Sequence, residues 1–165
     1  MRAYRISRRI HRTELLSGLG SSYKDGGRWN SSGNRAVYLA GSGSLALVEV
    51  LAHAGEFGQD DKWSWFAFEI PDDAIATVDP ENLPPGWDNI PAGRVSQDIG
   101  DSFFRDGTIL ALKVPSVIVP FESNLVLNPL HPAAKTLNPV DEISLRWDAR
   151  LRNTDTVQAA RPPQM

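Results

Sequence analysis

The chain of 165 residues contains no cysteine, which excludes thiol nucleophiles, cysteine-based zinc sites and disulfide frameworks. Its three histidines, His11, His53 and His131, stand far apart, without an HExxH pattern or the spacing of a catalytic triad. The Gly-x-Ser-x-Gly motif of many serine hydrolases is also missing. We therefore expect chemistry that uses neither a metal ion nor an activated serine or cysteine.

Long apolar runs are lacking as well. No stretch approaches the roughly 20 residues that a membrane-spanning helix requires. The basic start of the chain is not followed by the apolar segment of a secretion signal. The sequence thus predicts a cytoplasmic protein without membrane contact, whose first twelve residues carry Arg2, Arg5, Arg8, Arg9 and Arg12.

The net charge is only −3, but it is distributed unevenly. Residues 1–35 hold eight Lys and Arg against two acidic residues, whereas residues 36–110 hold three against thirteen. The basic start suits binding of a phosphate or an acidic partner, and the simpler alternative is a solvated face. The acidic middle argues against a general nucleic-acid surface, so we expect no direct binding of nucleic acid.

The composition, 41% hydrophobic and 22% charged, is typical of one globular domain. Short β-prone segments and two helical patterns follow one another without a regular βαβ rhythm, which predicts a single α+β domain over residues 1–151. Residues 152–165 are predicted to form a mobile tail. Strands are expected at 3–6, 36–40, 62–70, 108–114, 116–119 and 125–127, helical turns at 13–18, helices at 45–54 and 92–105, and a last apolar run at 143–151.

Both predicted helices have recognisable boundaries or faces. Ser42 or Ser44 can cap the first helix, and Gly55 can end it. In the second helix, Val95, Ile99 and Phe103 are expected to face the core. Its polar face, which we expect in water, consists of Arg94, Asp98 and Asp101.

Glu49 is the most informative single residue. It lies in the first predicted helix among apolar neighbours, so its carboxylate is expected at or near the interior. Burying a carboxylate is costly unless a partner compensates for it, so Glu49 is either paired structurally or kept for function. Arg28 follows two glycines, where the backbone can approach a ligand, and is the expected partner of Glu49. A surface arginine in a flexible loop is the alternative for Arg28.

Two further polar positions are candidates for binding. Tyr38 alternates with apolar residues on a predicted strand, so it is either a core aromatic or a ring that stacks on a ligand. Ser123 and Asn124 follow an apolar strand and can form an ordered turn or present hydroxyl and amide groups to a ligand. Spacing alone does not choose between these alternatives.

Eight short segments connect these residues in order: GGRWNS at 26–31, VYLA at 37–40, LALVEV at 45–50, GW at 86–87, IGD at 99–101, VPS at 114–116, ESN at 122–124 and NPLHP at 128–132. Together they resemble the RES domain, which is named for its Arg, Glu and Ser. The resemblance extends from about residue 4 to residue 151. Several linked motifs make it specific where each one alone is weak.

This resemblance implies a fold similar to that of ADP-ribosyltransferase toxins, described as short twisted sheets with a few helices. It implies a toxin of a type II toxin–antitoxin system that depletes NAD and is neutralised by an Xre-type antitoxin. It implies that Glu49 and Arg28 are the catalytic residues. The residues expected to bind the substrate are Arg28, Tyr38, Ser123 and Asn124.

The chemistry of NAD suggests a mechanism. Nicotinamide is a cationic leaving group, and its departure leaves an oxocarbenium-like ribose whose positive charge a carboxylate such as Glu49 can stabilise. NAD would be a substrate with no additional cofactor, and water, phosphate or a protein side chain could be the acceptor. The last case would make the protein a mono-ADP-ribosyltransferase. A non-catalytic nucleotide-binding module, in which Glu49 and Arg28 form a structural pair, is the alternative of a different class.

Overall fold

Seven short strands form one mixed sheet. The structure is a computed structural model that describes residues 1–53 and 62–151. In these ranges the strands are ordered β4-β5-β6-β2-β1-β3-β7, with β4 parallel to β5 and every other pair antiparallel. Their bounds are β1 Arg2–Arg8, β2 Val37–Ala40, β3 Trp63–Glu69, β4 Ile75–Thr77, β5 Ala111–Pro115, β6 Ser123–Leu127 and β7 Asp141–Ser144.

The sheet is loosely joined between β1 and β2. Strand β1 pairs with β3 along its whole length, from Arg2 opposite Glu69 to Arg8 opposite Trp63. It pairs with β2 through Tyr4 opposite Ala40. The two strands therefore diverge on either side of this contact and leave an opening between the halves of the sheet.

The described residues form three α-helices beside the sheet: α1 Ser21–Asp25, α2 Gly43–His53 and α3 Arg94–Asp106. Ser42 caps α2 by accepting a hydrogen bond from the backbone N–H of Leu45 at 3.0 Å, as one of the two expected caps. Gly107 ends α3 in the left-handed conformation. Within the described ranges, no helix is both long and apolar enough to cross a membrane. Short 3₁₀ helices lie at Arg9–Glu14, Asp72–Ala74, Pro80–Asn82, Pro132–Thr136 and Ala149–Leu151.

The core fills both sides of the sheet. One cluster is centred on Phe66 and Phe68 of β3, which are both fully buried. Burial of each ring away from water contributes about 1.5–3 kcal/mol to the free energy of folding. A second cluster packs Leu45 of α2 against β1 and β3. A third lies between α3 and the sheet around Trp29 and Val126. These clusters keep α2 and α3 in place on the sheet.

The α+β class expected from the sequence is confirmed, with one difference in the sheet. Instead of several short sheets, the described strands join into one. The strand expected at 116–119 is wrong because the Oγ of Ser116 accepts the N–H groups of Ile118 and Val119, which bends the chain. The helical turns expected at 13–18 lie earlier, as the 3₁₀ helix Arg9–Glu14, and β4 was not anticipated. The proposed end of α2 at Gly55 and the tail 152–165 lie outside the described residues.

Gly100 lets helix α3 lie directly against the backbone of Trp29. A Cβ at this position would overlap the backbone carbonyl of Trp29, a residue that is 2% exposed. Backbone cannot move aside as a side chain can, so we expect Gly100→Ala to lower the free energy of unfolding by about 3 kcal/mol or more. Urea denaturation would measure this. Gly93→Ala is the control, because a Cβ there meets nothing within 4 Å, and a loss as large as that of Gly100→Ala would contradict the explanation.

Candidate active site

A cleft of about 970 Å³ opens where β1 and β2 diverge. This volume lies at the upper end of the roughly 300–1,000 Å³ range typical of ligand sites. Apolar side chains of β1 and α2 form part of its wall, among them Ile6 and Val50. The polar side chains that line it include Arg5, Arg28, Tyr38, Glu49 and Asn124.

Glu49 extends from α2 into this cleft and is half-buried. Its Oε1 accepts a hydrogen bond from the Asn124 amide at 2.6 Å and another from the Ser116 hydroxyl at 3.2 Å. Asn124 lies on β6, and Ser116 directly follows β5. The two strands thus hold the carboxylate in a defined orientation at the cleft wall, which a flexible surface glutamate would not have.

Arg28 does not form the expected ion pair with Glu49 in the described part of the chain. Its Nη1 instead donates to the backbone carbonyls of Trp87, at 2.8 Å, and Asn89, at 3.1 Å. Burial lowers the pKa of the guanidinium from its ordinary value, while the negative charges of Asp88 and Glu49 oppose this shift. Arg28 and Glu49 therefore share the cleft and its electrostatic field, but separate contacts hold each of them.

Tyr38 supports the loop that carries Arg28. Its hydroxyl donates to Oδ1 of Asn30 at 2.7 Å and accepts the backbone N–H of Trp29 at 3.0 Å. Burial raises the pKa of Tyr38 above its ordinary value, so the hydroxyl stays protonated. A Cβ on Gly27 would lie 2.5 Å from this hydroxyl, which explains why the loop carries glycine there. The stacking of Tyr38 on a ligand stays a prediction.

Removing this hydroxyl should loosen the loop. We expect Tyr38→Phe to lower the free energy of unfolding by about 1–3 kcal/mol, because the Trp29 N–H and the Asn30 oxygen lose a buried partner. Urea denaturation would measure the loss. Tyr23→Phe is the matched control, since the Tyr23 hydroxyl makes no hydrogen bond within the described residues. Equal stability of the two variants would show that Tyr38 does not brace the loop.

Two more side chains, those of Asn30 and Asp101, hold the same loop through hydrogen bonds. Asn30 is fully buried, and its amide donates to the carbonyls of Ser22, Ser31 and Asn34. Asp101, expected to face water, is only partly exposed, because its Oδ1 accepts the Ser31 N–H at 3.0 Å and the Asn34 amide at 2.7 Å. Burial acts to raise the pKa of Asp101, but these hydrogen bonds outweigh it and keep the pKa below its ordinary value.

The structure places the side chains of Ser123 and Asn124 on opposite sides of the sheet. Both begin β6, and consecutive strand residues face opposite sides of a sheet. Asn124 reaches Glu49 and lines the cleft, whereas Ser123 is not among its lining residues. The serine that contacts Glu49 is Ser116, which sequence reasoning did not select. Its signal was present in the VPS segment, as a polar residue directly after an apolar strand.

Arg5 is a second residue that the sequence analysis did not single out. It lies in the middle of β1, lines the cleft and donates from Nη1 to the carbonyl of Leu15 at 2.6 Å. Burial lowers the pKa of its guanidinium. No carboxylate within the described residues pairs with it. A charged residue inside a predicted strand was the available signal for such a site.

Three other arginines of the basic start have partners on the edge strand β7. Arg2 pairs with Asp141, and Arg12 pairs with Glu142 at 2.8 Å. Arg9 contacts the hydroxyls of Ser64 and Ser144. The basic start is therefore largely occupied in holding the sheet edge, and of its five arginines Arg5 is the one that lines the cleft.

Fold and cleft together define a small α+β protein whose candidate ligand site combines two arginines and a fixed carboxylate. In the described ranges, no group of His, Asp and Glu side chains is placed to hold a metal ion. Residues 2–148 match the family model for the RES domain. The chain therefore belongs to the RES-domain family.

Curated relatives share most of this chain. Toxin Res of Yersinia enterocolitica is 38% identical over 92% of this chain and all of its own length. The Prs ADP-ribosylating toxin of Sphingobium is 42% identical over 87% of this chain and 90% of its own. Membership in this family makes the chain a RES toxin.

A solved structure shares the fold. The MbcT–MbcA toxin–antitoxin complex of M. tuberculosis contains a chain that superposes with a TM-score of 0.70 at 18% identity. The match covers 87% of this chain and 83% of the other. At this identity the likeness supports the RES toxin fold.

Proposed function

We propose that this toxin depletes NAD by cleaving the bond between nicotinamide and ribose. The observation that carries the proposal is the placement of Glu49, whose carboxylate Asn124 and Ser116 orient at the wall of a cleft of dinucleotide-compatible size. An oriented negative charge stabilises a transition state only if it faces the atom that becomes positive. In NAD that atom is the ribose C1 as nicotinamide departs.

The cleavage of NAD requires no oxidant or reductant. The bond between ribose C1 and the nicotinamide nitrogen breaks, and nicotinamide leaves as a neutral molecule with the electron pair. A new bond forms between C1 and an oxygen of water or phosphate, and the acceptor's proton passes to solvent or to Glu49. Glu49 stabilises the oxocarbenium-like ribose between these events.

Two cations are available for the pyrophosphate. Arg5 and Arg28 both line the cleft, and each is oriented by backbone carbonyls. Arginine binds phosphate through paired N–H groups, and within residues 1–53 and 62–151 neither guanidinium forms an ion pair with a carboxylate, which suits both to binding an anion. Asn124 would hold Glu49 and stay within reach of the substrate, while the Tyr38 ring would pack on one of its rings.

A second candidate is transfer of ADP-ribose to a protein. A 42% identical relative is named an ADP-ribosylating toxin, which favours this acceptor. Bond cleavage would be the same, with a protein side chain in place of water or phosphate. Incubation with labelled NAD and cell lysate would separate the two: label on a protein band supports transfer, and label confined to small molecules supports depletion.

Expression without a partner tests the proposal in cells. We expect growth to stop and total NAD to fall before it stops, in a host that has no matching antitoxin. The cytoplasm is where this substrate pool lies. Growth arrest with unchanged NAD would overturn NAD depletion and leave protein ADP-ribosylation as the proposal.

For the partner we propose an antitoxin of the Xre type that covers the cleft, since a solved structure that shares this fold is a toxin–antitoxin complex. Exposed apolar side chains of Leu19, Ile90 and Ile118 lie along the cleft and suit an apolar segment. We expect antitoxin and NAD to compete in a binding titration. Uptake of NAD by the complex with the affinity of the free toxin would contradict occlusion.

A further inference from the structure

Three successive residues at the start of β6 contact helix α2 or the two residues that precede it. Glu122, which directly precedes β6, accepts a hydrogen bond from the hydroxyl of Ser42 through Oε2. The carbonyl of Ser123 accepts the N–H of Gly41 at 2.9 Å. The amide of Asn124 then holds Glu49 at 2.6 Å. The strand therefore fixes both the beginning of α2 and the carboxylate two turns further along.

Ser42 links the strand to the helix. Its Oγ accepts the N–H of Leu45 at 3.0 Å, which caps the first turn of α2. A hydroxyl has one proton to donate, and Ser42 donates it to Glu122. Glu122 thereby orients the cap of the helix that carries Glu49.

Glu122 also fixes the second donor to Glu49. Its carbonyl accepts the backbone N–H of Ser116 at 3.0 Å, and its own N–H donates to the carbonyl of Val119 at 2.9 Å. These bonds close the turn between β5 and β6. Ser116 can then donate its hydroxyl to Glu49 at 3.2 Å from a fixed backbone position.

The contact between Gly41 and Ser123 is closely packed, so neither backbone segment can shift toward the other. A Cβ on Gly41 would lie 2.6 Å from the carbonyl oxygen of Ser123, so the backbones of the two segments nearly touch. In such a close-packed arrangement the side-chain bond between Ser42 and Glu122 adds to the backbone bond between Gly41 and Ser123 in holding the first turn of α2 on the strand. Glu122 itself is not among the residues that line the cleft.

We propose that Glu122 is a positioning residue that acts through Ser42 and helix α2 to hold Glu49 in its reactive orientation. The proposal rests on the proposed function for its substrate. Because Glu122 does not line the cleft, its loss disturbs the alignment of Glu49 with the substrate rather than the binding of NAD. A small misalignment of a reacting group lowers the rate more than it lowers affinity.

Steady-state kinetics of Glu122→Ala, Glu122→Gln and Ser42→Ala test this, with NAD as substrate and released nicotinamide as the signal. We expect Glu122→Ala to lower kcat about tenfold or more while KM for NAD changes less than about twofold. Glu122→Gln keeps an oxygen that accepts the Ser42 proton, so it should retain most of the wild-type kcat. Ser42→Ala should resemble Glu122→Ala, and the double variant should lose no more than the worse single variant.

Other outcomes overturn the proposal. An unchanged kcat in Glu122→Ala, or a rise in KM as large as the fall in kcat, contradicts positioning. A fall that follows only the folded fraction, measured by circular dichroism, assigns Glu122 to stability alone. If Glu122→Ala does not fold, Ser42→Ala and Glu122→Gln still give the kinetic comparison. Failure of the proposed function looks different: wild-type protein that arrests growth without releasing nicotinamide refutes NAD cleavage, and the same variants are then compared by growth arrest.

Discussion

Glu49→Gln should lower the rate of NAD cleavage by a factor of about 100 to 1,000, with the fold intact. Removing one preorganised electrostatic group from a transition state typically has an effect of this size. Glutamine keeps an oxygen that can accept hydrogen bonds from Asn124 and Ser116, so the site should keep its shape. What it lacks is the negative charge. Nicotinamide release by purified protein would measure the loss.

The control is a glutamate outside the cleft. Glu69 ends β3 and is exposed, and Glu69→Gln should keep the wild-type rate. Wild-type activity of a folded Glu49→Gln variant would remove Glu49 from catalysis and would favour the module in which it serves structure alone.

Arg28→Ala should lower kcat/KM for NAD about 10- to 100-fold, mainly through binding. A hydrogen bond from a charged group is worth about 1.5–3 kcal/mol, and this range corresponds to that change. Arg28→Lys should recover little of the lost kcat/KM. An ammonium lacks the planar group of N–H donors with which a guanidinium can bind the carbonyls of Trp87 and Asn89 and a phosphate at once. Isothermal titration with NAD would separate binding from rate.

Arg35→Ala is the matched control for this variant. Arg35 is exposed and lies outside the large cleft, so its loss should leave NAD affinity within about twofold of wild type. Equal affinities of Arg28→Ala and wild type would show that Arg28 only ties the loop 87–89 to the glycine-rich segment.

Local signals in the sequence were enough for much of the fold. The apolar pattern and the Ser42 cap predicted α2, and the period of Ile99 and Phe103 predicted the side of α3 that faces the core. The same signals brought Arg28, Tyr38, Glu49 and Asn124 together as candidates, and all four line one cleft. Their roles in chemistry stay predictions.

Long-range contacts were not predictable in the same way. Arg28 pairs with carbonyls 59 and 61 residues away, which no pattern near Arg28 reveals. Ser123 and Asn124 show the effect of strand register: a shift of one residue on a strand exchanges the two faces, and Asn124 rather than Ser123 faces Glu49. Asp101 fits the polar face of α3 in sequence and stays partly exposed, but the loop at 31–34 folds back and donates two hydrogen bonds to its carboxylate.

NAD cleavage by Glu49 is tested most directly by measuring nicotinamide release by purified protein incubated with NAD, with and without phosphate. We expect one nicotinamide for each ADP-ribose or phosphorylated ADP-ribose formed, with rapid release by the wild type and almost none by Glu49→Gln. Release that continues unchanged in Glu49→Gln would contradict the assigned chemistry. Intact NAD in the presence of wild-type protein that still arrests growth would contradict the central claim itself.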